Sequence, residues 1–495
     1  MKAKWTKAAL LLSVAAVAAA TLYIKSADFG DEGGQASGAL PAASAHSSPA
    51  PYGSPAVQGS GAPAGDTDVK LLNPEQMKQD LDFLVETIGE VHPSLINGWS
   101  SEQKQVIESA YSKIRKPQSD ADFYFTANEI VSLMHDGHTV LYWELENLKF
   151  LDLPLFWARD GLVVNDNRGN LHTGDIVTAI GGRSIDDLEQ ELAIIIPAEN
   201  KQWVRVQGSI LLRVEALLRH LGLVANDRVE VTVKRGTASI TEAFTLTDKL
   251  TQKEYSPYPD GDVPFSYTFE DDLSLGIFQL NTCENTRKYQ VTVKQFFDEV
   301  KARGIQHVAV DLRSNGGGDS SVIEEFLSYT DVESYYEYKS LMRYSPQLQE
   351  ARGTEQNSGY AVNERILNPV LLKTLYPYKG KLYLLTSAHT FSSANMFAVI
   401  VQDNSLGRII GEATGNQPSS YGDILTFQLP ASGIHFQVSF KKFTRSAPER
   451  DPADSLQPDI EAYTTAKDIT ERRDAQLEKL RVVVRADLKM NSRGK

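Results

Sequence analysis

Cysteine is almost absent: Cys283 is the only one in 495 residues, so no intrachain disulfide can form and no cysteine cluster can hold zinc. No base or thiolate-stabilising helix start is apparent around Cys283, so a nucleophilic role is disfavoured. Net positive charge is missing too. With 64 acidic against 50 basic side chains the formal charge is -14, which repels phosphate backbones and excludes nucleic acid as an expected partner. No internal repeat is found. No Gly-x-Ser-x-Gly occurs, which argues against an α/β-hydrolase, and no Gly-Lys-Ser/Thr follows the glycine run Gly316 to Gly318, which argues against a nucleotide P-loop.

Long apolar runs are scarce as well, with one exception at the start. Lys2, Lys4 and Lys7 precede an apolar run from Ala8 to Ile24, a pattern of export signals. Cleavage near Ala18 to Ala20 and retention as a membrane anchor are both compatible with that length. Residues 26–68 are rich in Gly, Ala, Pro and Ser and read as a tether. The expected location is extracytoplasmic, secreted or anchored at the cell envelope, with residues 1–25 as signal or anchor.

Residues 69–148 read as helical, with Met77, Leu81, Leu84 and Ile88 at helical spacing and a second helix predicted to stop at "HDGH", where Gly137 suits a C-terminal turn. Residues 149–250 are β-rich. There "GDIVTAIGGRSIDDL" resembles the core of PDZ domains, "RVEVTVKRG" alternates as a half-buried strand, and a helix-like stretch runs from Ile210 to Leu223. From 262 to 465 apolar strands alternate with helices, which predicts an α/β core with a parallel sheet covered on both faces. A terminal helix is predicted within 466–495, with Leu477, Leu480, Val483 and Val484 along one side.

Two stretches of that core carry chemistry. "VDLRSNGGGDSS" ends a buried strand in three glycines before a helix, a loop able to present backbone amides to an anion or to serve as a plain turn. "TSAHTFSSANMFAVIVQD" passes from strand to helix at Ser392 and Ser393. A serine there is either a helix cap or a nucleophile favoured by the helix dipole. A nucleophile needs a base. Among nine histidines, His135 and His138 in "LMHDGHTVL" stand beside an acid and a turn glycine; a metal site using both and a buried structural histidine are the other readings.

Taken in order, "LMHDGHT", the PDZ-like segment, "VDLRSNGGG", "TSAHTFSSANMFAVIVQDN", "GRIIGEATGNQP" and "LQPDI" resemble the S41 serine peptidases, the tail-specific and tricorn-core group. The resemblance spans about Asp80 to Ile460. It implies a ClpP/crotonase-like α/β core, a serine endopeptidase acting on polypeptides through an acyl-enzyme, and no cofactor or metal. The position at which the C-terminal processing branch carries its lysine base falls on Gln417 (417 − 392 = 25), so the tricorn-like design with a histidine base is implied. That design makes Ser392 the nucleophile, His138 the base, and the backbone amides of Gly317 or Gly318 with Ser393 the oxyanion hole. Gly137 stands where tricorn-like enzymes have a serine, so the resemblance names no group that orients His138. Glu449 and Asp451 are candidate supporting acids. A catalytically silent peptide- or ligand-binding protein on the same fold is the alternative.

Overall fold

In the computed structural model the described residues are 71–142, 149–250, 255–259, 261, 263–451 and 454–493; the predicted signal segment and tether lie outside them. Among the described residues no helix is long and apolar enough to cross a membrane.

The N-terminal layer is helical. Helix Pro74–Val91 starts at an Asn73/Gln76 capping box and buries Met77, Leu81, Leu84 and Ile88. Its one fully buried acid, Asp80, accepts from the amides of Ala431 (2.7 Å) and Ser432 (2.9 Å), which ties this layer to a distant hairpin. Helix Asp120–Ser132 ends earlier than the sequence suggests. The amides of Leu133, Met134 and His135 tighten onto carbonyls three residues back, and the left-handed residue is His135 (φ 45), not Gly137. Gly137 serves close approach instead: a Cβ there would lie 2.8 Å from Phe391 Cζ and 3.1 Å from Trp203 Nε1.

The β-rich region is an antiparallel sheet of strands Leu155–Ala158, Gly161–Val164, Ile176–Ile180, Arg228–Arg235 and Ala238–Thr245, with Arg183–Ser184 pairing at its side. Val229, Val231 and Val233 are fully buried, as the alternation predicts. The Gly181-Gly182 turn has both residues at positive φ and leads into helix Ile185–Ile195. The single helical stretch expected over 210–223 is two helices, Lys201–Leu211 and Glu215–His220. The break falls where the Arg213 carbonyl accepts the Leu151 amide and Val214 is extended.

The core sheet has the strand order Phe265–Glu270, Leu275–Leu280, His307–Asp311, Lys381–Thr386, Arg408–Gly411, Ile460–Glu461; all neighbours are parallel except the first pair. Both faces are covered. Val308 and Val310 point to a cluster built by helices Arg287–Arg303, Ser321–Leu327 and Ser392–Asp403, whereas Ala309 points to one formed with Leu480 and Val484 of helix Ala475–Arg493. This two-sided burial explains the near-continuous apolar strands.

A second, antiparallel sheet joins Tyr360–Asn363, Lys339–Arg343, His435–Thr444 and Tyr421–Gln428. Strand Val140–Leu141 adds to it, with Val140 opposite Gln437 and Leu141 opposite Phe436. That pairing carries the residues just before Val140 from the helical layer to the mouth of the core sheet.

Candidate active site

Ser392 opens helix Ser392–Asp403 at φ 50, a left-handed conformation that costs a non-glycine residue about 1–2 kcal/mol. Neither serine caps the helix. Phe391 occupies the N-cap position with no side-chain bond, and Ser393 Oγ donates to the Gly318 carbonyl at 2.6 Å. Asn315 and Asn416 hold the strained turn. The Phe391 amide donates to the Asn315 carbonyl (3.1 Å) and the Ser392 amide to Asn416 Oδ1 (3.1 Å). Strain retained by surrounding bonds at a turn is a pointer to a functional site.

The glycine loop lies against this turn. A Cβ on Gly317 (φ 109) would meet Ser392 Cβ at 2.5 Å, and one on Gly318 (φ 128) would meet the Cys283 carbonyl at 2.3 Å, so both positions need glycine for space as well as for φ. The Gly317 amide is committed to Asn315 Oδ1 at 2.8 Å. The amides of Gly318 and Ser393 have no acceptor among the described residues, which leaves these two of the three predicted donors uncommitted. Behind the loop, the Arg313 guanidinium is buried between Asp311 and Asp474 and anchors the strand end. The Cys283 thiol is pushed up to about 12 by burial, which makes it unfit as a nucleophile.

His138 Nε2 lies 3.0 Å from Ser392 Oγ across 254 residues of sequence. The ring leans on Phe391 with centroids 4.8 Å apart, and the His138 carbonyl accepts from Gln437 Nε2 at 2.7 Å. Two residues earlier, fully buried Asp136 accepts from the His138 amide (2.9 Å), Thr139 Oγ1 (2.7 Å), Ser439 Oγ (2.6 Å) and His92 Nε2 (3.3 Å). Its Oδ1 is 3.5 Å from His138 Nδ1, an ion-pair distance too long for a good hydrogen bond. Burial works to raise the Asp136 carboxyl, but its bonds to His138 and His92 outweigh that and hold it well below the usual carboxylate range. Burial likewise opposes charge on His138, yet Asp136, Glu199 and Asp423 lift its pKa above the ordinary 6.5.

The acids the structure places beside His138 are not Glu449 and Asp451. Glu449 is exposed on the turn Pro448–Arg450 and Asp451 accepts from Ser419 Oγ; neither is bonded to His138, whose acidic neighbours are Asp136, Glu199 and Asp423. Asp136 had a signal in "HDGH", an acid beside a histidine. Glu199 and the Asn416 side chain had none, because their partners are remote in sequence.

His135 is exposed and does not join His138 in a cluster. His389, the histidine nearest Ser392 in sequence, is depressed to about 4 by burial and packs on Tyr258. Asp136, His138 and Glu199 bring atoms of a kind that bind cations within 4.8 Å of one another, but Asp136 already accepts four protein donors and His138 Nε2 faces Ser392.

The fold is similar to that of mature CPAF complexed with lactacystin, at 15% identity and a TM-score of 0.61, covering 84% of this chain and 99% of that one. A second structure of mature CPAF gives 15% identity and a TM-score of 0.61, with 82% and 97% covered. No curated protein sequence matches the chain. The sequence model of peptidase family S41 matches residues 274–462, the span that holds the parallel sheet, the glycine loop and Ser392. Through that span the chain is similar to peptidase family S41, which supports a serine-type peptidase.

Proposed function

We propose that the protein is an exported serine endopeptidase that cleaves polypeptides with a Ser392–His138 centre. The observation that carries this is the 3.0 Å separation of Ser392 Oγ and His138 Nε2 beside uncommitted amides. His138 Nε2 takes the hydroxyl proton as Oγ attacks the scissile carbonyl carbon. The resulting oxyanion is held by the amides of Gly318 and Ser393, where a fixed donor is worth about 3 kcal/mol. The imidazolium then gives its proton to the leaving amine as the C–N bond breaks, which leaves an ester on Ser392. Water, deprotonated by His138, hydrolyses that ester.

Export rests on the lysine-flanked apolar run and the tether after it, which would hold the folded part away from a membrane. The PDZ-like reading of residues 149–250 rests on the strand, Gly-Gly turn and helix of residues 176–195. The net charge of -14 favours a polypeptide over a nucleic-acid partner.

A fluorophosphonate probe tests the reading. The native protein should be labelled on Ser392 and Ser392→Ala should not, with its melting temperature retained. Labelling that survives Ser392→Ala overturns the assignment.

A further inference from the structure

We propose that Glu199, which comes from the β-rich region, is a positioning residue of the active centre: it fixes the Nδ1 proton of His138 and supports the imidazolium formed when Ser392 is deprotonated. The inference rests on the Ser392–His138 reading above and deepens it.

His138 Nδ1 and Glu199 Oε2 are both buried and both lack a hydrogen-bond partner in the protein. Their two residues, with Asp136, each bring one atom into a group lying within 4.8 Å of one another. Buried polar atoms are rarely left unpaired, so a ring nitrogen and a carboxylate oxygen orphaned on such close residues are complementary candidates for a proton between them. Asp136 alone serves Nδ1 poorly. Its oxygens are engaged by the His138 amide, Thr139, Ser439 and His92, and the approach to Nδ1 is 3.5 Å.

The other oxygen of Glu199 shows why this residue is well placed. Glu199 Oε1 accepts from Asn416 Nδ2 at 2.9 Å, and Asn416 Oδ1 accepts the Ser392 amide at 3.1 Å. The carboxylate also brings an atom within 4.8 Å of His138 and Asp136 on the turn that carries the base. One side chain thus joins the turn that carries the nucleophile to the turn that carries the base. Its backbone is held in place by the next residue, since Asn200 Nδ2 donates to the carbonyls of Thr414 (3.3 Å) and Asp454 (3.0 Å). Trp203, one turn on, stacks on Phe391 at 4.2 Å.

Burial first, and the charge of Asp136 second, push the Glu199 carboxyl up to about 8. Near neutral pH the carboxyl and the imidazole therefore compete for one proton. With the proton on Nδ1, the carboxylate faces an N–H and Nε2 keeps its lone pair toward Ser392 Oγ, which is the tautomer a general base needs. The groups facing His138 are Asp136 on its own turn, Glu199 from the β-rich region, and Asp423 with its partner Lys441 from the second sheet; His92 and Tyr421 lie behind them.

The test is Glu199→Gln in the full chain. Glutamine keeps the length and the acceptor for Asn416 but carries no charge. The expected result is a kcat lower on the order of 10²-fold with KM within about twofold. The acid limb of the pH profile, and the His138 ring titration followed by NMR, should both move to lower pH, because a negative charge that raises the His138 pKa is gone. Glu199→Asp should recover part of kcat. A Glu199→Gln protein with native kcat and an unmoved titration overturns the inference. So does a loss of activity shared equally by Gln and Asp and matched by a lower melting temperature, which is the signature of a purely structural role. If native protein fails to label at Ser392, the proposed function falls and takes this inference with it; labelling with an unmoved Glu199→Gln titration removes Glu199 alone.

Discussion

The two halves of the proposed active centre are built in opposite ways. Ser392, the proposed nucleophile, is held locally: strand Lys381–Thr386, the turn to Phe391 and the helix from Ser392 are contiguous, and their nearest support, the glycine loop, ends the adjacent parallel strand. His138, the proposed base, is held from a distance. It follows a strand pairing to residues 436–437 and Asp136 locked by His92 and Ser439, with Glu199 close by. A local device survives small changes elsewhere in the molecule, whereas a convergent one depends on several segments arriving together.

Removing the base is the harshest way to break the comparison. His138→Ala should lower kcat by about 10³-fold or more and also prevent fluorophosphonate labelling, since Ser392 Oγ would have no proton acceptor. Labelling at the native rate would mean that another group takes the proton. On the nucleophile side, Gly317→Ala should cost on the order of 10²-fold in kcat/KM. The added methyl would sit 2.5 Å from Ser392 Cβ at a φ of 109, and a misplacement of about 1 Å is enough for that loss. Steady-state rates on a casein-type substrate would measure it.

Asp136→Asn should affect both activity and stability. It should slow kcat roughly tenfold to a hundredfold, short of the 10⁴ that a well-aligned triad carboxylate commands, because the 3.5 Å contact is loose. It should also destabilise the fold by about 2 kcal/mol through mismatched buried donors, visible as a lower melting temperature. The pH dependence carries a definite sign. With neutral His138 as the proposed base and its pKa raised, kcat/KM should climb as pH rises through that raised value; in Asp136→Asn the limb should move to lower pH. The smallest effect is expected from Glu449→Ala. That side chain is exposed and away from His138, and a change greater than about twofold in kcat/KM would put an acid back at this position.

Legibility in the sequence follows the same division. The parallel sheet was readable because burial on both faces leaves near-continuous apolar runs such as Val308 to Leu312, and the Gly-Gly turn before Ile185 because left-handed backbone selects glycine. The break in the 210–223 helix was not, since it is set by a bond between Arg213 and Leu151. The end of the helix before His138 was misjudged for a related reason: Gly137 signals a turn by composition, but its lack of a side chain is used to admit Phe391 and Trp203.

By itself the sequence determined the alternation of strand and helix, the glycine loop, the strand-to-helix turn at Ser392 and the order of motifs that resembles the S41 peptidases, because hydrophobic period and backbone permissiveness act over a few residues. Only the tertiary structure decided which acids face His138, that Gly317 gives up its amide to Asn315, and that Glu199 and Asn416 reach the nucleophile's turn. Buried polar groups are paired by whichever donor or acceptor the packed chain brings near them, and that proximity leaves no mark on local sequence.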